Sequence, residues 1–287
     1  MSVDPTAPGV FISGDQGRLG RALAAAAPGP IAGWDRPDLD LDHPATGAAL
    51  VHAQQPRLVI HTAAMTAVDE AALEPDLALR RNGEAVGAIA AACREIGAGF
   101  VLISTNEVFD GERRDGRGYV ETDQAAPRNP YGRSKRAGEL AALRAFDGAE
   151  GLWIVRTAWL FGPPGADFPD KITAAADKVA GPLRVVADEV GCPTYTPDLA
   201  AAIFELVART GGGIFHLVND GSASRFEWAR AVLELRRPGR ELAPIALAEY
   251  ARSSDPPPWG VLDTSKAATA GVTLRPWQEA LAEYLAG

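Results

Sequence analysis

Cysteine, histidine and lysine are scarce in this sequence, and their scarcity excludes several kinds of protein. The 287 residues include 2 cysteines, 4 histidines and 4 lysines. Cys93 and Cys192 stand alone, without the paired spacing that a disulfide framework or a zinc site requires. We therefore expect two buried or incidental thiols and no metal site.

Long apolar runs and an excess of basic residues are also lacking. No apolar segment approaches the length of a membrane span, and the first residues carry Asp4 rather than a basic leader, so we expect a cytoplasmic protein without a membrane partner. The formal net charge of −9 argues against a nucleic-acid partner, because a phosphate backbone calls for a basic protein face. With 47% hydrophobic residues, the chain can still bury a full core.

Apolar runs of strand length alternate with segments of helix length along the first half of the chain. The runs lie at 9–13, 30–34, 57–62, 99–104 and 151–157. The helical segments lie at 18–27, 45–54 and 75–96, and a further helix begins at Asn129. This alternation predicts an α/β fold of the Rossmann type, a doubly wound and mainly parallel sheet with helices on both faces.

Beyond Leu160, prolines and glycines separate shorter elements. Helices are predicted at 225–235, 247–251 and 277–285. We expect residues 1–160 to form one domain, to which later strands from about 183–186 and 213–217 also contribute. The remainder, 161–287, is expected to form mainly a smaller, interwoven C-terminal subdomain.

A glycine-rich loop, G-x-x-G-x-x-G, joins the first predicted strand to the first predicted helix. Glycine lets the backbone approach a pyrophosphate closely, and free amides at a helix N-terminus bind it. The chain has 30 glycines, so a plain glycine turn is the alternative, but the position between strand and helix favours a dinucleotide site. The predicted cofactor residues here are Gly14, Gln16, Gly17, Arg18, Leu19 and Gly20.

Asp35 follows the second predicted strand, where an acidic residue holds the ribose hydroxyls of NAD. Arg36 beside it and Arg18 in the loop are each able to pair with the additional phosphate of NADP, which Asp35 would repel. The sequence therefore predicts NADP or NAD as cofactor and leaves the two open. Alternatively, Asp35 is only a turn residue in an acidic segment and binds no cofactor.

The stretch NPYGRSK places Tyr131 four residues before Lys135. With 5 tyrosines and 4 lysines in the chain, this spacing is unlikely to arise by chance. Asn129 is a good N-cap and Pro130 suits the first helical position, so both side chains should lie on one helix face. We expect the lysine ammonium to lower the pKa of the phenol and make it a proton donor or acceptor. The alternative is an amphipathic surface helix.

The glycine loop and the Tyr-x-x-x-Lys pair, in this order, resemble the extended short-chain dehydrogenase/reductase superfamily. Further segments cover nearly the whole chain and resemble the dTDP-4-dehydrorhamnose reductase family within it. These segments are 63–69, 121–123, 131–139, 156–159, 188–194, 216–218 and 262–264. The resemblance implies NAD(P)-dependent reduction of a 4-keto group on a nucleotide-linked deoxysugar.

In that family, a tyrosine protonates the alkoxide, a lysine holds the tyrosine and the nicotinamide ribose, and a Ser or Thr binds the carbonyl. The resemblance assigns these roles to Tyr131, Lys135 and Thr105, with Ser104 as the alternative hydroxyl. The predicted cofactor residues already include Asp35, Arg36 and Lys135. The resemblance adds Ala63, Ala64 and Thr66, which lie in the loop after the third predicted strand. The implied substrate residues are Val68, Asn106, Glu107, Trp159 and Phe168.

Three departures from the family pattern lie on the substrate side. The family usually has Asp-Tyr where this chain has Asn106-Glu107, and we expect Glu107 to make the site less favourable for a diphosphate. An Arg-Pro pair of the family aligns with Pro256 and Pro257, so an arginine that binds phosphate is missing there. Asp167 also replaces an asparagine of the family.

Three functions therefore remain open from the sequence. The first is a dTDP-4-dehydrorhamnose reductase-like enzyme, and the second is a reductase or epimerase that acts on a different nucleotide sugar or carbonyl compound. The third is a non-catalytic, cofactor-binding regulatory subunit, against which the complete set of catalytic residues argues. The expected partner is a small molecule, a nucleotide sugar in the first case, and a homodimer is possible.

Overall fold

A computed structural model describes residue 4 and residues 9–286 of the chain. Residues 1–3 and 5–8, on which most of the leader argument rests, lie outside the described residues, as does residue 287. Within the described part, no helix has both the length and the apolar character needed to cross a membrane.

Six parallel strands form the central sheet, in the order β10-β5-β4-β3-β1-β2. Every position of β3, β4 and β5 is buried, as expected for strands covered on both faces. The predicted parallel sheet is thus confirmed. Its strands are β1 (Val10–Ser13), β2 (Ile31–Trp34), β3 (Leu58–His61), β4 (Gly99–Thr105), β5 (Leu152–Thr157) and β10 (Gly213–His216).

Helices cover both faces of this sheet. Successive residues of a strand point to opposite faces, so each strand contributes to the core on both sides. Ile60 of β3 packs with α1 and α8 on one face, whereas Val59 packs with α2, α5 and α6 on the other. The predicted double winding is confirmed. The helices are α1 (Arg18–Ala26), α2 (Ala45–Gln54), α5 (Ala85–Ile96), α6 (Pro130–Phe146) and α8 (Thr196–Arg209).

The helix predicted over 75–96 is interrupted by a wider turn. It consists of α4 (Pro75–Leu79), a π-helical turn (Arg80–Glu84) and α5, and it is preceded by the short α3 (Val68–Leu73). Asn82 lies in the π-helical turn, and its side-chain amide exchanges hydrogen bonds with the backbone of Met65. The turn therefore anchors the loop after β3, which borders the cleft described below.

The C-terminal half differs from the prediction at β7 (Leu183–Val186). This strand pairs with β12 (Leu242–Ile245) in a separate two-stranded sheet rather than joining the central sheet, so the contribution predicted from 183–186 is wrong. Its burial pattern does not separate it from the central sheet, because Arg184 is exposed between buried neighbours but the edge strands β2 and β10 of that sheet also have exposed positions. The predicted helix at 247–251 is only a short 3₁₀ turn at Leu247–Glu249.

Short elements complete this half and pack around a cluster of aromatic side chains that includes Phe161, Trp228 and Trp277. Two further pairs of strands, β6 with β9 and β8 with β11, lie among them. The remaining strands are β6 (Leu160–Phe161), β8 (Val190–Gly191), β9 (Thr194–Tyr195) and β11 (Ala223–Ser224). The remaining helices are α7 (Phe168–Lys178), α9 (Arg225–Arg236), α10 (Ser265–Thr269) and α11 (Trp277–Ala286).

Candidate active site

A cleft of about 770 Å³ lies at the carboxyl ends of β1, β3, β4 and β5. Ligands of open α/β sheets bind at this edge of the sheet. The cleft brings together all three predicted catalytic residues and all five predicted substrate residues, together with most of the predicted cofactor residues. They are Thr105, Tyr131, Lys135, Val68, Asn106, Glu107, Trp159, Phe168, Gly14, Gly17, Arg18, Leu19, Asp35, Arg36, Ala63, Ala64 and Thr66.

The glycine loop is shaped for close approach of its backbone. Gly14 has φ +70°, and a Cβ atom there would lie 2.8 Å from the backbone nitrogen of Ala63. A Cβ on Gly20 would collide with the carbonyl oxygen of Gly14, so Gly20 serves packing within the loop and does not line the cleft. No side chain caps the N-terminus of α1 at Gly17. The loop therefore fits a pyrophosphate group.

Asp35 is held in place by the glycine loop itself. One carboxylate oxygen accepts a hydrogen bond from the backbone of Gln16 at 3.2 Å, and the other accepts one from the backbone of Arg36 at 2.8 Å. The side chain of Gln16 bonds to Asp15 and Arg21 instead and does not line the cleft. These contacts place a fixed acidic group where the adenosine ribose of a dinucleotide would lie.

Arg18 bridges the cleft. Its guanidinium donates to the carbonyl oxygen of Gly162 and lies 3.5 Å from the carboxylate of Asp167, which caps α7. The additional phosphate of NADP, which the sequence suggested as a partner of Arg18, would have to compete with Gly162 and Asp167 for the guanidinium. Asp167, one of the three departures from the family pattern, thus connects the C-terminal half to the glycine loop.

Tyr131 and Lys135 lie one turn apart near the start of α6, as predicted. The side-chain oxygen of Asn129 caps this helix by accepting a hydrogen bond from Gly132 at 2.8 Å. Lys135 is only 4% exposed. Thr105 ends β4, and its hydroxyl lies near enough to the phenol of Tyr131 to act on the pKa of that phenol. The three groups therefore converge at the end of β4.

The predicted lowering of the Tyr131 pKa is wrong for the protein alone. Burial raises the pKa of the phenol, and the nearby carboxyl of Glu107 raises it further, whereas the hydrogen bond from Thr105 only partly opposes them. Burial also lowers the pKa of Lys135 to about 8, against a smaller opposing effect of Glu139. The phenol of Tyr131 is therefore protonated at neutral pH.

A buried ionic cluster lies beside the predicted catalytic residues. Glu139 is fully buried and accepts hydrogen bonds from Arg156 at 2.8 Å through both oxygens. It also accepts bonds of 2.7 Å from Ser104 and Arg136. Ser104, the alternative hydroxyl in the sequence prediction, is thereby committed to Glu139, which leaves Thr105 as the hydroxyl beside Tyr131.

The substrate side contains an arginine that no sequence pattern indicated. The guanidinium of Arg225 lies 3.5 Å from the ring centre of Trp159 and 2.8 Å from the carboxylate of Glu189. Arg252 adds a second guanidinium, 3.9 Å from Glu189 and 3.3 Å from Asp69. Only the fold could reveal these residues, because they come from segments far apart in the sequence.

Together, the doubly wound sheet, the glycine loop and the Thr105–Tyr131–Lys135 cluster define an NAD(P)-dependent oxidoreductase of the extended short-chain dehydrogenase/reductase type. A family model described as the RmlD substrate binding domain matches residues 9–287. The chain belongs to this family, the dTDP-4-dehydrorhamnose reductase family named by the sequence resemblance.

Named relatives and a solved structure agree with this assignment. A dTDP-4-dehydrorhamnose reductase of Mycolicibacterium smegmatis is 39% identical, over 99% of this chain and 87% of the relative. A dTDP-4-keto-6-deoxy-D-glucose reductase of Streptomyces niveus is 36% identical, over 95% of each chain. The crystal structure of the dTDP-4-dehydrorhamnose reductase of Bacillus anthracis in complex with NADP has a TM-score of 0.89 at 32% identity, covering 96% of this chain and 98% of that one.

Proposed function

We propose that the protein reduces the 4-keto group of a dTDP-linked 6-deoxysugar, as the names of its relatives indicate. The observation that carries the proposal is the convergence of Thr105, Tyr131 and Lys135 in one cleft with the glycine loop. A protein that only binds a cofactor has no chemical need for this combination. Retention of the complete set therefore favours an enzyme over a regulatory subunit.

Each of the three side chains has a proposed role in the reaction. Thr105 and Tyr131 hold the carbonyl oxygen by hydrogen bonds, and Tyr131 donates its proton to that oxygen as negative charge develops there. Lys135 orients the phenol and binds the nicotinamide ribose. The reduced nicotinamide, when bound, supplies the hydride. The residues that would hold the dinucleotide are those of the glycine loop, Asp35 and the loop after β3.

The direct test is the oxidation of NADH and NADPH in the presence of enzymatically prepared dTDP-4-dehydrorhamnose. We expect steady-state turnover with at least one of the two cofactors and a single reduced sugar nucleotide as product. Product analysis by chromatography and NMR would establish which carbon is reduced. Cofactor binding without turnover, with this sugar or with a panel of other keto sugars, would contradict the proposal and support the regulatory alternative.

Asp35 is proposed to set the balance between the two cofactors. Its fixed carboxylate favours a free ribose hydroxyl and repels a phosphate at that position. Replacement by serine is expected to raise the affinity for NADPH relative to NADH by about tenfold or more. Fluorescence titration of both cofactors measures the ratio. Asp38→Ser, an exposed acid nearby, is the control, and an equal effect in both variants would refute a specific role for Asp35.

Lys135 is proposed to make cofactor binding dependent on pH. Because its pKa is lowered to about 8, the ammonium is charged below pH 8 and loses its charge as the pH rises through that value. The affinity for NADH is then expected to fall by about tenfold between pH 7 and pH 9.5. Lys135→Met should bind NADH weakly at every pH in a titration series. Parallel pH curves for the two proteins would contradict this role.

Other features stay predictions. They are the division of tasks between a cofactor-binding domain at 1–160 and a mainly substrate-binding subdomain at 161–287, a homodimer, a cytoplasmic location and the lack of a nucleic-acid partner. Analytical ultracentrifugation of the purified chain would test the homodimer.

A further inference from the structure

Glu107 lies close to Thr105 and Tyr131, the two groups that would contact the reacting carbonyl. It belongs to the 3₁₀ turn Asn106–Val108, which follows β4 directly. Its backbone N–H donates to the hydroxyl of Thr105 at 3.2 Å, and the residue lines the cleft. Its charge also acts on the phenol of Tyr131. A substrate carbonyl held by Thr105 and Tyr131 would therefore have its neighbouring carbons near Glu107.

The two carboxyl oxygens of Glu107 have different surroundings. Oε2 accepts a hydrogen bond of 2.6 Å from Asn129, the residue that caps α6. Oε1 accepts no hydrogen bond from the described residues, and Glu107 forms no ion pair with them. One oxygen thus fixes the side chain to the catalytic helix, and the other is available to a ligand.

The charged groups that face Glu107 come from three other parts of the chain. Glu189 precedes β8, Arg225 begins α9 and Arg252 lies in the segment after the 3₁₀ turn at 247–249. The carboxylates of Glu189 and Asp69 already pair with both guanidinium groups. Burial is the main reason that the pKa of Glu107 rises to about 7, so the carboxyl is mostly ionised at pH 8 and mostly protonated at pH 6.

We propose that Glu107 selects substrates with a hydroxyl group on the carbon next to the reacting carbonyl, by accepting a hydrogen bond from that hydroxyl through Oε1. This inference rests on the proposed function and adds the feature of the sugar that the site recognises. An ionised carboxylate only accepts hydrogen bonds, so it binds a hydroxyl and repels a group that cannot donate. In a 4-keto-6-deoxysugar, the matching position is the hydroxyl at carbon 3.

The expected discrimination is tenfold to a hundredfold. A hydrogen bond to a charged group contributes about this factor to affinity, and a site built around such a bond rejects an analogue that lacks it. Fluorine at carbon 3 is the suitable replacement, because it is similar in size to a hydroxyl but cannot donate a hydrogen bond. Its lone pairs would face the carboxylate and weaken binding further.

The test compares two ketones, the dTDP-linked 4-keto-6-deoxysugar and its 3-deoxy-3-fluoro analogue. Each is titrated by calorimetry into protein saturated with NAD⁺ or NADP⁺, whichever supports turnover in its reduced form, because a complex with the oxidised cofactor cannot reduce a ketone. At pH 8, the wild-type protein is expected to bind the hydroxylated ketone at least about tenfold more tightly. In Glu107→Gln, the ratio should fall to within about threefold of unity, since the amide can still bond to Asn129 but presents a donor to the ligand.

Lowering the pH gives a second measurement that needs no variant. At pH 6, the protonated carboxyl of the wild-type protein can itself donate, so the ratio of the two affinities should shrink, whereas the ratio in Glu107→Gln should not change with pH. Titration of Lys135 changes cofactor binding equally for both ketones, so its effect cancels in the ratio of their affinities. Glu112→Gln removes a carboxylate that is 68% exposed and outside the cleft, and it should keep the wild-type ratio.

The outcomes separate this inference from the proposed function. A wild-type ratio that is near unity at pH 8, or that persists in Glu107→Gln, would overturn the role of Glu107 and leave the proposed reduction intact. If the wild-type protein binds neither ketone, the proposed function fails and the inference fails with it.

Discussion

Replacement of Tyr131 by phenylalanine is expected to lower kcat for keto-sugar reduction by about a thousandfold or more, with little change in cofactor affinity. General acid catalysis contributes about 10²- to 10⁴-fold, and we expect the loss to lie at the upper end of this range. The phenyl ring keeps the packing of the site. Steady-state kinetics and titration with NADH measure the two quantities separately.

Tyr119→Phe is the matched control for this change. Its hydroxyl donates to Asp110 at 2.6 Å and accepts from the backbone of Arg113 at 3.3 Å, and its ring stacks on Phe109, so the variant loses two phenolic hydrogen bonds, but outside the cleft. We expect kcat to stay within about threefold of wild type, since the cost is a modest loss of stability. A Tyr131→Phe enzyme with more than a tenth of wild-type kcat would refute the assignment of Tyr131 as the proton donor.

The raised pKa of Tyr131 determines which protonation state of the phenol is present at neutral pH. A phenol whose pKa lies above its ordinary value is fully protonated throughout the neutral range, as a donor in the reducing direction requires. In the opposite direction, alcohol oxidation, the same group would have to accept a proton and would rarely be ionised. The phenol is therefore in the protonated form that donation requires, but its raised pKa also makes it a weaker acid, and a bound cofactor adds its own charge to this balance.

The features that sequence predicted well depend on neighbours in the chain. The cap at Asn129, the glycine loop and the strands of the central sheet each follow from residue types a few positions apart. The cleft followed from these, because parallel strands place their carboxyl ends at one edge. Local patterns indicated the glycine loop, Asp35 and the Tyr131–Lys135 pair, and the family resemblance supplied Thr105 and the substrate residues that line the same cleft.

The features that sequence missed depend on partners far along the chain. Leu183–Val186 is a strand as predicted, but its partner is Leu242–Ile245, and nothing local distinguishes this pairing from a place in the central sheet. Arg18 was considered for a phosphate, yet the fold presents it to Asp167. The sign of the Tyr131 pKa shift likewise required knowing the burial of the phenol and the position of Glu107.

Glu139→Met is expected to destabilise the protein by about 3–5 kcal/mol, the largest stability effect among the single substitutions considered. Glu139 is fully buried, and the side chain of Arg156 is only 2% exposed, so removing the carboxylate leaves a buried guanidinium without its partner. Denaturation by urea or guanidinium chloride, followed by circular dichroism, measures the free energy of unfolding. Lys135 lies one turn away on the same helix, so activity should also fall.

The double variant Glu139→Met/Arg156→Met tests the physical cause of this loss. Because the penalty comes from an unpaired buried charge, removing both partners should restore more than half of the lost stability. Glu205→Met is the matched control, since Glu205 and Arg209 form an exposed pair and its loss should cost less than about 1 kcal/mol. A double variant as unstable as Glu139→Met would show that packing, not charge, controls the effect.

The stability difference between wild type and Glu139→Met should also depend on pH. Burial alone would raise the pKa of Glu139, but its hydrogen bonds and charge interaction with Arg156 outweigh burial and lower it below its ordinary value. The stabilising contribution is therefore complete above the pKa of the unfolded state and is lost as the pH falls through the lower pKa of the folded state. Unfolding free energies of the two proteins should converge on acidification, and a difference that stays constant down to pH 3 would contradict an ionised Glu139.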